Sequence, residues 1–134
     1  MHTRILMMAS AAVLFAGGLA CTFAPQELVL RAGGTATGPF LVLLVQVAGG
    51  MCLGFAMMNW MARVSLIGGI YGRPIAMGNF LHFGIVASAL GKAAFRTGGS
   101  TLIWTAAAVY VVFAVWFGLV LFGDPLKKKV AEQG

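Results

Sequence analysis

Charged side chains are scarce in this chain, and acidic ones are the scarcest. Only 9% of the 134 residues are charged, and the three acids are Glu27, Asp124 and Glu132. Soluble domains usually carry about 25% charged residues, so this composition argues against a water-soluble domain. The three acids also offer no pair of carboxylates for glycosidic or hydrolytic chemistry. None lies within an apolar stretch, where a proton-coupled transporter usually keeps an ionisable residue.

Cysteine and histidine are also few, and their positions exclude the common metal and nucleophile motifs. The two cysteines, Cys21 and Cys52, form no Cys-x-x-Cys pair and have no neighbouring histidine or carboxylate. A structural metal site needs several such ligands close together. A Ser/His/Asp arrangement is implausible because Asp124 follows the last apolar stretch. We therefore predict no metal, no cofactor and no catalytic residue, and we interpret both cysteines as small apolar residues.

Long uncharged stretches occupy most of the chain instead. Hydrophobic residues make up 60% of it, and the mean hydropathy is +0.96. A membrane-spanning helix needs roughly 20 mainly apolar residues, and we place such helices at about 5–26, 40–62, 74–94 and 101–123. The third stretch is uncharged only over residues 74–91, so its helix has to continue through Lys92 to span. Lipid satisfies no backbone hydrogen bonds, and period-two alternation is absent, which excludes a barrel. The sequence predicts an all-α fold, a four-helix transmembrane bundle forming a single membrane domain over residues 1–134.

The placement of lysine and arginine predicts the orientation of this bundle. With four spans, the N-terminus, the middle loop and the C-terminal tail of residues 124–134 share one side. That side carries six basic residues: Arg4, Arg63, Arg73, Lys127, Lys128 and Lys129. The other side carries three: Arg31, Lys92 and Arg96. The positive-inside rule therefore predicts that both termini are cytoplasmic, and we expect a bacterial inner membrane protein.

The net charge of +6 does not indicate a nucleic-acid partner. The basic residues are spread over several loops and the tail, without the interleaved aromatic residues of a nucleic-acid groove. Lys127, Lys128 and Lys129 directly follow a predicted span. Basic residues in that position attract anionic lipid headgroups by about 1 kcal/mol each. We interpret the three lysines as a lipid headgroup anchor.

The first apolar stretch also has features of a secretory signal. Arg4 precedes its apolar core, and small residues end at Ala20, as in cleaved signals. Cys21 raises the possibility of a lipoprotein site, but Gly18 stands where such sites have a larger aliphatic residue. We expect this stretch to be retained as a helix, and the sequence leaves later cleavage open.

A polar region between the second and third stretches contains the candidate site. It holds both asparagines and the one intramembrane histidine of the chain, and its candidate residues are Asn59, Arg63, Tyr71, Arg73, Asn79 and His82. Residues three or four apart share a helix face, and a short loop favours antiparallel packing of the two helices. We therefore expect these groups to meet near one mouth of the bundle. They either bond across helices or bind a phospholipid headgroup, a quinone or a small anion. A haem is disfavoured because His82 has no second histidine opposite it.

The stretch from Asn59 to Phe83 resembles small four-span bacterial membrane proteins of unknown activity. The resemblance covers about a fifth of the chain and includes the two asparagines and the glycines of the intervening loop. It implies a fold of four membrane helices. It implies no activity, so it assigns no catalytic role to any residue of this chain.

Small residues at four-residue spacing predict close helix packing. The motifs are Gly50-x-x-x-Gly54 in the second helix and Gly84-x-x-x-Ser88, followed by Gly91, in the third. Small residues at this spacing let two helix backbones approach closely in lipid. The spacing does not distinguish packing within the bundle from packing against another subunit.

Three functions compete at this point. The absence of a catalytic set and the many glycines favour a non-enzymatic accessory or structural subunit, which packs against a protein partner or against itself as a homo-oligomer. The basic and amide residues near one mouth favour, as an alternative, an oligomeric transporter or channel for a small anion or a lipid-like molecule. The third possibility is an enzyme acting on a lipid or quinone head, with His82 as its proton carrier. Membrane lipid is an expected partner in all three.

Overall fold

Helices form all the regular structure in the part of the chain that a computed structural model describes, residues 2–35, 38–64 and 72–123. The elements are α1 (His2–Phe23), α2 (Pro25–Arg31), α3 (Pro39–Ala62), α4 (Gly72–Thr97) and α5 (Thr101–Phe122). The prediction of an all-α fold is confirmed for these residues. Four of the helices, α1, α3, α4 and α5, are long and apolar enough to cross a membrane, as the four uncharged stretches predicted. The basic tail of residues 124–134 lies outside the described residues.

The C-terminal ends of α1 and α4 each lie three residues from the predicted ends, for local reasons. The first predicted helix extended to residue 26, whereas α1 ends at Phe23 and Pro25 opens the separate helix α2. The residue before a proline is driven out of the helical region, and Ala24 accordingly has φ −130°. The third predicted helix ended at residue 94, whereas α4 continues through Lys92 to Thr97. Its 26 residues give α4 the length that the short uncharged stretch required.

The turn between α4 and α5 depends on two glycines. Gly98 and Gly99 have φ values of 72° and 38°, a region that residues with a side chain rarely adopt. A Cβ atom on Gly99 would also lie 2.9 Å from Cα of Ala94. The Ser100 side chain then accepts a hydrogen bond from the Ile103 amide and caps the N-terminus of α5.

The long helices pack as two antiparallel pairs. In the first pair, Ser10 and Gly18 of α1 lie beside Asn59 and Gly49 of α3, so residue numbers rise along one helix and fall along the other. In the second pair, ring contacts show that residue numbers also rise along α4 while they fall along α5. Contacts between the pairs are much fewer, and α3 and α4 touch over a short stretch. The two helices α3 and α4 therefore pack antiparallel as expected, but only over a short stretch.

The buried core joins the two pairs near one end of the helices. Its members are Leu6, Met7, Leu14, Ala56, Ala62, Ala76, Phe83, Phe113 and Phe117. Large apolar side chains also cover the outside, where Met51 is 64% and Leu119 is 68% exposed. Helices that are apolar on every side are typical of membrane spans. The outward side chains are suited to contact with lipid.

Candidate functional site

Three polar side chains form a buried network where α1, α3 and α4 meet. Ser10, Asn59 and Asn79 each have no exposed surface. The two asparagines bond reciprocally, since each Nδ2 donates to the other's Oδ1 at 2.7 Å. Asn59 Nδ2 also donates to Ser10 Oγ at 3.0 Å. One helix face of each element thus contributes one polar group to a single hydrogen-bonded cluster.

The network satisfies the hydrogen-bonding groups of its own members. Ser10 Oγ donates to the Met7 carbonyl at 3.1 Å, and Asn79 Nδ2 also donates to the Ile75 carbonyl at 2.9 Å. Both N–H groups of each side-chain amide therefore have an acceptor, and each amide oxygen has a donor. A buried amide with all its partners costs little, whereas an unpaired one is expensive in an apolar interior. These hydrogen bonds hold the three helices together. Because both N–H groups of each amide are already used, neither asparagine has a free donor for a ligand.

Arg63 lies outside this network at the C-terminal end of α3. Its guanidinium group lies over the Trp60 ring, 4.1 Å from the ring centroid, and it donates to the Trp60 carbonyl. The last carbonyls of a helix lack intrahelical donors, and a basic side chain is a suitable partner for them. Arg63 therefore caps α3 and stacks on its aromatic neighbour rather than pointing toward Asn59.

His82 lies deeper, in an aromatic cluster between α3, α4 and α5. Its ring stacks on Phe55 with centroids 4.6 Å apart and tilts against Tyr110 at 5.8 Å. The Nε2 atom of His82 is buried and has no hydrogen-bond partner among the described residues. Cys52 Sγ lies 3.9 Å from the Tyr110 hydroxyl in the same region. The histidine is packed chiefly by rings.

The structure thus brings together two of the six candidate residues, Asn59 and Asn79. It places Arg63 on Trp60 and His82 among aromatic rings, and it leaves Arg73 exposed near the start of α4. Tyr71 lies outside the described residues, as do the predicted anchor residues Lys127, Lys128 and Lys129. Ligand binding by any of these residues stays a prediction.

Sequence reasoning missed Ser10 and therefore the role of α1 in this cluster. Ser10 is the only hydroxyl-bearing residue of α1 between Thr3 and Thr22. A single hydroxyl in an otherwise apolar span is the signal that could have identified it, because lipid offers such a group no partner.

Among the described residues, no neighbouring helix packs closely against the predicted packing glycines. A Cβ atom added to Gly50, Gly54, Gly84 or Gly91 would meet no other atom within 4 Å. Ser88 is exposed, and its hydroxyl donates to the Gly84 carbonyl at 2.8 Å. Close packing inside the chain uses Gly18 and Gly49, where an added Cβ would lie about 3 Å from the backbone oxygen of the facing glycine.

Both predicted motifs border shallow surface depressions. Gly54 lines one of about 270 Å³ together with Met51, Phe55 and Met58. Gly84 and Ser88 line another of about 560 Å³ on α4. We call Gly50 and Gly54 the α3 glycine face, and Gly84, Ser88 and Gly91 the α4 glycine face.

No cluster of three or more His, Cys, Asp or Glu side chains occurs within the described ranges. Cys21 and Cys52 are both free and partly buried. Comparison with protein-family models, with curated proteins and with solved structures finds no significant match to the chain. The geometry of its own residues is therefore the basis for any functional assignment.

Proposed function

We propose that this chain is a non-enzymatic subunit of a membrane assembly, a four-helix transmembrane bundle that associates with partner helices or with a second copy of itself. The α3 and α4 glycine faces form the contact surface. The proposal includes residence in a bacterial inner membrane, with both termini in the cytoplasm.

One observation carries the proposal: the glycine faces are open, while the buried asparagines are fully paired within the chain. Four glycines of α3 and α4 have no neighbour that would prevent a side chain. Glycine within a helix is less favourable than alanine by about 1 kcal/mol, so open glycines gain nothing from the chain itself. Small residues favour helix association in lipid because they allow backbones to approach closely. Packing against a helix of another subunit would make use of the close backbone approach that these glycines allow.

The coverage of the helices agrees with this assignment. Within its most apolar stretch, α3 has 11% of its residues buried in the chain, compared with 33% for α1. The α3 glycine face lies on this least covered helix. Lipid alone can cover such a surface, but lipid does not require glycine there.

The antiparallel order supports the proposed placement of the termini. The Asn59–Asn79 pair joins the end of α3 to the beginning of α4, and Phe80 near the start of α4 contacts Phe122 at the end of α5. The start of α1 lies at this same end, because Ser10 bonds to Asn59. The positive-inside rule then assigns this end, which also carries Arg63 and Arg73, to the cytoplasm.

The test is the mass of the particle extracted in a mild detergent. We expect the wild-type protein to migrate with additional protein mass beyond its own 14.0 kDa. A Gly50→Leu/Gly54→Leu double variant and a Gly84→Leu variant should each release this mass, because the side chains would hold the partner backbone away.

Gly17→Leu is the matched control, since Gly17 is also a helical glycine with no atom near its added Cβ but belongs to neither glycine face. It should behave as the wild type. A wild-type particle containing one chain and no other protein would refute the proposal. Equal release by Gly17→Leu would also refute it, because the effect would then not depend on the glycine faces.

The transporter and the lipid-head enzyme remain without a specific structural observation in their favour. The transporter relied on Arg63, Arg73, Asn79 and His82 near one mouth, and the enzyme relied on His82 with Arg73. The described polar contacts unite only Asn79 with Asn59.

A further inference from the structure

An apolar groove runs along the outside of the α1–α3 pair and borders the α3 glycine face on its α3 side. Ala11 and Ala56 form its floor and are each 3% exposed. The rim consists of larger side chains, Phe15, Met57 and Trp60, which are 54%, 61% and 48% exposed. The groove has a volume of about 490 Å³. Small residues below and large ones on both sides produce a trough of a width suited to a chain-like apolar molecule.

The groove follows the helix axes, and a cation lies against the aromatic side chain at one end of it. Its lining on α3 extends from Leu53 to Trp60, which corresponds to about 10 Å at 1.5 Å per residue. At the Trp60 end, the Arg63 guanidinium lies over the indole ring at 4.1 Å. Trp60 lies in the last turn of α3 and Arg63 is its C-cap, where a membrane helix reaches the headgroup layer.

Arg63 retains the capacity to bind an anion there. A guanidinium group has five N–H donors, and one hydrogen bond of Arg63, to the Trp60 carbonyl, is found. The Trp60 ring holds the planar group in place, and a held guanidinium suits bidentate binding of phosphate. Glu27 is the one acidic residue within the described ranges. It lies in α2, near the opposite end of the α1–α3 pair, so it does not neutralise Arg63.

We propose that this groove is a binding site for an anionic phospholipid. One acyl chain lies between α1 and α3 over Ala11 and Ala56, and the phosphate of the headgroup is bound by Arg63 beside Trp60. The apolar trough and the cation at its interfacial end together match the two parts of such a lipid. Charge complementarity favours this occupant over an uncharged apolar helix, which would bring no anion to Arg63.

The test measures lipid retention by native mass spectrometry on protein purified in mild detergent with equal amounts of phosphatidylglycerol and phosphatidylethanolamine. We expect the wild type to retain one phosphatidylglycerol molecule. Ala12→Phe fills the groove from its exposed side and should lower the retained fraction at least tenfold. Ala108→Phe, at an exposed alanine of α5, is the matched control and should retain lipid as the wild type does.

A second variant separates the headgroup from the tail. Arg63→Gln leaves the groove intact, so it should still bind lipid but lose its preference for phosphatidylglycerol by about fivefold, as expected for one interfacial basic residue. Arg96→Gln, at the exposed other end, should keep the preference. Circular dichroism and a single elution peak confirm that each variant is folded.

Several results would overturn the lipid site. Wild-type protein that retains no phospholipid, or Ala12→Phe protein that retains as much as the wild type, would contradict the groove. An unchanged lipid preference in Arg63→Gln would contradict the headgroup contact. Retention of an apolar molecule without phosphate, or loss of protein mass in Ala12→Phe, would show that a different occupant fills the groove. The substituted positions, Ala12 and Arg63, belong to neither glycine face, so this proposal can fail while the proposed function stands.

Discussion

The two helix pairs of this protein are held together by different means. The α1–α3 pair combines close backbone approach at Gly18 and Gly49 with the polar bond between Ser10 and Asn59. The α4–α5 pair is joined by rings, with Phe83 stacked on Phe113 and Phe117 at centroid distances of 5.0 and 5.7 Å. One small chain thus contains both kinds of helix contact.

This difference shows which interactions can hold helices together in lipid, where the hydrophobic effect does not drive their association. Lipid tails are as apolar as a protein core, so helix association in lipid depends on packing and hydrogen bonds rather than on removal of apolar surface from water. Small residues bring the backbones of α1 and α3 together, and large rings fill the space between α4 and α5. The Asn59–Asn79 pair then links the two halves.

The largest effect on stability is expected from breaking this link. Asn79→Leu leaves the amide oxygen and one N–H group of Asn59 buried without partners, so the free energy of unfolding should fall by about 2–3 kcal/mol. The measurement is a titration of micelle-bound protein with a denaturing detergent, followed by circular dichroism.

Two controls sharpen the interpretation of this change. The double variant Asn59→Leu/Asn79→Leu should lose less than the sum of the single variants, because residues of one network are not independent. Gln46→Leu removes an exposed amide from α3 and should change stability by no more than about 0.5 kcal/mol. Additive single effects would contradict the network.

Removing a ring from the α4–α5 pair should lower the free energy of unfolding by a smaller amount. Phe83→Ala removes a fully buried ring and leaves a cavity between α4 and α5. Because lipid tails are as apolar as a protein core, only the cost of the cavity remains, and the free energy of unfolding should fall by about 2 kcal/mol. The same titration measures it, with Phe40→Ala as the control because Phe40 is 72% exposed. If both variants lose the same amount, ring packing does not hold this pair.

The adjacent glycines Gly49 and Gly50 allow a test of whether α1 and α3 pack through a close backbone contact. A Cβ atom on Gly49 would lie 2.9 Å from the Gly18 carbonyl oxygen, whereas one on Gly50 would meet nothing within 4 Å. Gly49→Ala should therefore lower the free energy of unfolding by about 1–2 kcal/mol. Gly50→Ala should leave it unchanged or raise it by up to about 1 kcal/mol. The opposite ranking would show that α1 and α3 do not pack through Gly49.

The sequence predicted the spans well because length and apolarity alone define them. The four long helices follow the four uncharged stretches, and Asn59 and Asn79 meet as their positions near the α3–α4 loop indicated. The short helix α2 was missed, since seven residues between two spans carry no periodic signal.

Partner choice among the helices was harder to predict from sequence. Helices that are apolar all round do not show which face meets which neighbour, so the strong α1–α3 and α4–α5 pairing was not apparent. Gly18 and Gly49 lie in different helices, and their match therefore leaves no spacing motif. The visible motif at Gly50 and Gly54 instead lies on an open face.

Site-specific photo-crosslinking in the native membrane shows whether the glycine faces contact another protein. A photoreactive phenylalanine analogue replaces Met51 beside Gly54, Leu81 beside the α4 glycine face, or Val112, which is 59% exposed on α5. We predict a protein adduct of defined mass from positions 51 and 81 and lipid adducts alone from position 112. Lipid adducts alone at all three positions would contradict it.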